Sequence, residues 1–204
     1  MKRAISGPIV FLLIAGGFII GLSDSRDSSG FRNRCDDLAY IPDGVFTKQM
    51  DSPATLKEYY SSMQEWPFSC LERNTEAYRF LYIPSFDSPA SIRVWRKGNH
   101  SFVEVKQLTQ TGIPKYGAKD LKVSESRPLS DEQWNHFKDL LAKTSFWSMR
   151  VEDDTPVGLD GAMFVLEGHE RNNYHVIARR SDKDDSLMNL TGYFFDLARL
   201  QWNR

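Results

Sequence analysis

Residues 90–97 and 100–108 each alternate apolar and polar side chains, and only Gly98 and Asn99 separate them. A two-residue break containing glycine between two alternating runs closes a tight hairpin, which commits this stretch to antiparallel pairing. Residues 77–83 alternate as well, with Tyr78, Phe80 and Tyr82 on one side, and 119–127 form a further extended piece before Pro128. Downstream, 162–168 and 174–180 read as a second hairpin that turns at Arg171-Asn172-Asn173. Three helices are expected around these strands. The first, over 51–65, has Ser52 to cap it, Pro53 at its first position, and Leu56, Tyr59, Tyr60 and Met63 on one face, and Trp66-Pro67 ends it. A second follows the capping box Ser130-Asp131-Glu132-Gln133 and runs to Lys143, with Trp134, Phe137, Leu140 and Leu141 as its apolar stripe and His136 turned to solvent. The last is capped near Asp185 and buries Leu187, Leu190, Phe194 and Leu197. These elements predict an α+β domain, a mostly antiparallel sheet of about five to six strands with two to three helices packed on one face.

The start of the chain does not belong to that domain. Met1-Lys2-Arg3 is followed by an uncharged run, Pro8-Ile9-Val10-Phe11-Leu12-Leu13-Ile14-Ala15-Gly16-Gly17-Phe18-Ile19-Ile20-Gly21-Leu22. A basic head before such a run is the layout of a secretory signal peptide. Extended back to Ile5, the run approaches the roughly 20 residues that a spanning helix requires. Residues 1–22 are therefore expected to be a signal peptide or an N-terminal apolar anchor helix, and cleavage and retention stand as equal alternatives. Either way the basic head stays on the cytoplasmic side. The rest faces the periplasm or the cell exterior, touching the membrane only through residues 5–22 if the leader is kept. Residues 23–34 are polar and nearly free of large apolar side chains, the composition of a flexible tether. Residues 35–204 are long enough for one globular domain with its own core.

Outside the reducing cytosol two cysteines pair readily, and the chain has two, Cys35 and Cys70. A disulfide between them is expected, with a pair of buried free thiols as the alternative. Neither cysteine sits at metal-ligand spacing. The 26 Lys and Arg side chains are interspersed with 27 Asp and Glu, for a net charge of −1, which argues against a nucleic-acid partner recruited by bulk charge.

Polar residues that carry chemistry gather late in the chain. Asp153, Asp154 and Asp160 precede the second hairpin, which bears Glu167, His169 and His175. A carboxylate that orients an imidazole is the minimum for general-base work, and Asp160 with His175 are the candidates for it. The nucleophile is missing: no serine occupies a G-x-S-x-G turn. The sequence Gly158-Leu159-Asp160-Gly161 is the composition of an ordinary turn, which is the preferred reading of it. His169 and His175 fit no ligand pattern, so no metal and no cofactor is expected. On the strand 90–97, Trp95 and Arg93 fall on one face and are candidates for a stacking surface that meets a partner or a glycan. The alternative is that Trp95 packs beneath the first helix.

Phe146-Trp147, Gly158-Leu159-Asp160-Gly161-Ala162, Val165-Leu166-Glu167-Gly168 and Tyr174-His175 occur in that order. With Tyr78-Arg79-Phe80-Leu81, Ile83-Pro84 and Ile92-Arg93-Val94 upstream, they resemble a group of uncharacterised exported bacterial proteins. The resemblance spans most of residues 76–200. It implies an envelope protein of bacterial type and carries over no catalytic residue. Two functions follow as expectations: a noncatalytic envelope domain that binds another macromolecule, and, as the alternative, a small hydrolase using Asp160 and His175.

Overall fold

The computed structural model of the chain describes residues 39–46, 53–109, 121–152, 161–180 and 185–201. The expected leader, the tether, Cys35, Asp153, Asp154 and Asp160 lie outside these residues. No helix among the described residues is long and apolar enough to cross a membrane.

Helix α1 (Pro53–Ser62) is followed by β1 (Thr75–Pro84), β2 (Ala90–Lys97), β3 (His100–Leu108) and β4 (Leu121–Leu129). Then come α2 (Asp131–Lys143), the hairpin β5 (Ala162–Glu170) and β6 (Asn173–Arg180), and α3 (Asp185–Ala198). The strands form one six-stranded sheet in the order β4-β3-β2-β1-β5-β6, and every neighbouring pair is antiparallel. The α+β reading holds. The hairpin between β2 and β3 turns at Gly98, whose φ of 60° is the left-handed conformation that glycine adopts without strain.

The expectation that all helices share one face is corrected. On one face, α2 and α3 place Trp134, Phe137, Leu141, Leu190 and Phe194 against Tyr78, Phe80, Ile92, Val94, Leu166 and Ile177. On the other, α1 sets Leu56, Tyr59, Tyr60 and Met63 against Leu81, Val165, Val176 and Ala178. The physical reason lies in β1, the central strand, where nearly every residue of Thr75–Pro84 is buried. A strand buried on both sides requires cover on both sides. Its second face carries Arg79, a charge that alternation alone would turn to solvent but that is buried here.

Helix α1 ends by an αL cap. Gln64 has φ 53°, its N–H bonds Ser61 O at 3.0 Å, and the Glu65 N–H bonds Tyr60 O at 2.8 Å. That pair of bonds is the Schellman arrangement, which reverses the chain sharply. The reversal delivers the Glu65 side chain onto the sheet. Trp66-Pro67 and a 3-10 turn over Phe68–Cys70 follow.

Gly168, in β5, has a packing role. A Cβ there would lie 2.6 Å from Phe146 Cε1 and 3.1 Å from Tyr78 Cδ1. Phe146 is 1% exposed and wedged among Tyr78, Trp147 and His175, so its ring has nowhere to retreat. Gly168→Ala is expected to cost about 1–3 kcal/mol, read as a drop in the urea midpoint at unchanged slope.

Candidate functional site

The antiparallel register lines up two cross-strand rows on the α1 face. The first runs Glu104, Arg93, Arg79, Glu167 across β3, β2, β1 and β5. The second, two residues along, runs Phe102, Trp95, Ala77, His169, Tyr174.

In the first row, Arg79 and Glu167 are both fully buried. Arg79 donates from Nε to Glu167 Oε2 at 2.6 Å and from Nη1 to Trp66 O at 2.7 Å. Its guanidinium lies 4.0 Å from the centre of the Tyr60 ring and 4.6 Å from that of Phe68. Tyr174 donates to the second oxygen of Glu167 at 3.1 Å. Arg93, next to Arg79 in the row, pairs with Glu104. Two arginines side by side would repel, and Glu65 resolves this from above the sheet. Its carboxylate lies 3.3 Å from Arg93 Nη1, 3.5 Å from Arg79 Nη1 and 3.5 Å from Lys106 Nζ, and it accepts from Ser91 Oγ at 3.2 Å.

Burial disfavours charge on Glu65, but Arg93, then Lys106 and Arg79, outweigh it and hold the carboxyl at about 2. Burial lifts the Glu167 carboxyl above the usual carboxylate range in spite of Arg79. Burial pulls Arg79 down, but Glu167, Tyr60 and Glu65 with the bond to Glu167 together outweigh it, so it stays charged. These groups are turned on one another. They form a charged floor beneath α1 rather than a reaction centre.

The second row opens a cavity beside that floor. Trp95 stacks on Phe102 with ring centres 4.6 Å apart and planes 21° from parallel. On its other flank stands Ala77, whose methyl group leaves room where a larger side chain would pack. A cavity of about 270 Å³ results, bounded by Trp66, Trp95, Ala77, Leu71 and Cys70, with Arg93, Glu104, Glu72 and Lys97 at its polar edges. Trp95 is half-buried and is not sealed beneath α1. Arg93 shares its face, as the alternation indicated, yet reaches Glu65 and Glu104 rather than the indole. Cys70, in the cavity wall, is buried and is not a free thiol.

The late polar cluster is taken apart by the register. His175 stands opposite Gly168, whereas His169 stands opposite Tyr174, so the two imidazoles project from opposite faces. His169 Nδ1 lies 3.0 Å from Thr75 O. His175 Nε2 lies 3.0 Å from Met149 O, and since a carbonyl only accepts, Nε2 carries the proton. The His175 ring packs against Phe146 and Trp147 from the 3-10 turn Phe146–Ser148. Burial lowers its pKa, so at neutral pH it is uncharged. Asp160, its intended partner, is outside the described residues. Glu167, grouped with the histidines by sequence, belongs to the Arg79 row. Among the described residues no group of three or more His, Cys, Asp and Glu side chains converges in a way that would hold a metal.

Sequence did not single out Glu65 or Ala77, and gave Arg79 no role beyond its place in the motif Tyr78-Arg79-Phe80-Leu81. No local signal marks them, because each takes its role from a residue on another strand. No family model matches the chain, and no curated protein matches it in sequence.

Proposed function

We propose that the chain is an exported or membrane-anchored envelope protein whose domain binds an envelope macromolecule without catalysing a reaction. The observation that carries this reading is the open cavity bounded by Trp66 and Trp95 on the α1 face. Tryptophan offers large rigid contact area at small entropic cost, which is why it dominates binding hot spots. The basic head and apolar run of residues 1–22 support the location, and in that oxidising space Cys35 is the partner assigned to Cys70. A hydrolase built on Asp160 and His175 has less behind it, since the Nε2 proton of His175 is already given to Met149 O.

The test uses the full chain, crosslinked in intact cells, fractionated, and alkylated without reductant. The expected result is a chain in the envelope fraction, with no cysteine alkylated and one recurrent partner. Trp95→Ala should reduce the partner's yield at least about tenfold, while Trp147→Ala, on the opposite face and 38% exposed, should leave it unchanged. A cytosolic chain with alkylated thiols would refute the location. Equal loss with both variants would refute the site.

A further inference from the structure

We infer that the cavity beside Trp95 is a carbohydrate subsite that accepts an uncharged pyranose unit, a reading that rests on the binding function proposed above.

The first ground is charge. The polar edge holds two cations and two carboxylates, and they are already matched: Lys97 bonds Glu72 at 2.8 Å and Arg93 pairs with Glu104. A site that neutralises itself offers no net attraction to an anionic or cationic ligand. What the pairs do offer is both kinds of hydrogen-bonding partner side by side, carboxylate acceptors and nitrogen donors. A polyhydroxylated ring needs that mixture, because each hydroxyl donates once and accepts as well.

The second ground is the geometry of the aromatic wall. One face of the Trp95 ring is taken by Phe102, so any ligand must use the flank toward Ala77, where the cavity lies. A flat apolar wall beside paired polar groups fits a pyranose, which has an apolar C–H face and a rim of hydroxyls. The size of the space, about 270 Å³, suits one such ring and excludes a folded peptide segment.

Ala77 supplies a test that truncation of Trp95 cannot. Replacing it with leucine puts a side chain into the cavity while leaving both tryptophans, both ion pairs and the Arg79 row in place. The measurement is saturation-transfer NMR on the full chain in a sugar-free zwitterionic detergent. The probes are chitotriose, cellotriose and maltotriose, with triglutamate and trilysine as charged competitors. At least one oligosaccharide should bind with a Kd on the order of 1 mM. Its affinity should change less than about twofold between about 0.05 and about 0.5 M salt. Ala77→Leu should weaken binding at least about tenfold with an unchanged near-UV circular dichroism spectrum. Silence from all three oligosaccharides, or binding that Ala77→Leu leaves intact, overturns the inference. A charged peptide that binds instead, and is released by salt, overturns it in favour of an ionic ligand. If the oligosaccharides fail while Trp95→Ala still abolishes partner capture, the carbohydrate assignment falls and the binding function stands. If partner capture also survives Trp95→Ala, both fall.

Discussion

Arg79→Met is expected to destabilise the protein by about 3–5 kcal/mol, because it strands the fully buried carboxylate of Glu167. The substitution removes the 2.6 Å bond to Glu167 and the 2.7 Å bond to Trp66 O together. Glu65 suffers less, since Arg93 and Lys106 still face it. The double substitution Arg79→Met with Glu167→Leu should be markedly less harmful than Arg79→Met alone. It removes both charges and leaves two neutral groups one partner short, the Tyr174 hydroxyl and the Trp66 carbonyl. Urea melts of the two variants and of Glu167→Leu complete a cycle, and a coupling above about 1 kcal/mol is expected. A single substitution that cost under about 1 kcal/mol would show that water reaches this pair.

The second large effect is acid destabilisation through Glu65. Its carboxyl is held at about 2 in the fold, against an ordinary value of 4.5. A depressed carboxyl stabilises the fold above the unfolded value and loses that contribution as pH falls through the folded one. The span corresponds to roughly 3 kcal/mol, present above pH 4.5 and gone below about 2. Glu167 acts in the opposite sense: its raised pKa means the fold binds that proton more readily than the unfolded chain does. The two are separated by comparing the wild type with Glu65→Gln in urea melts over this pH range. The stability gap between them should be widest above pH 4.5 and should close toward pH 2. A gap that stays constant would mean that Glu65 is not the titrating group.

How far the sequence could be read depends on how far apart the interacting residues are. The capping box is local: Ser130 and Gln133 bond each other as their spacing requires. The hairpin at Gly98-Asn99 is local too, and so are the apolar stripes of α2 and α3. Arg79 meets Glu167 only because β1 lies beside β5, 88 residues away. Alternation therefore marked Arg79, Ser91, Arg93 and Glu167 as polar without saying that they face one another under a helix. The same limit applied to the site. Trp95 was visible as an aromatic on the right face, but the cavity beside it exists because Ala77 is its neighbour on β1. The motifs behind the resemblance fare differently. Tyr78, Phe146, Gly168 and His175 pack together on one face, and Arg79 with Glu167 on the other.

The central position of β1 also sets a timetable. At synthesis rates of about 5–20 residues per second, the 88 residues between Arg79 and Glu167 correspond to a delay of roughly 4–18 s. Until β5 emerges, β1 has one edge open and its arginine has no Glu167 to hold. The hairpin of β5 and β6 therefore joins the sheet last, and the buried pair of Arg79 and Glu167 forms only then.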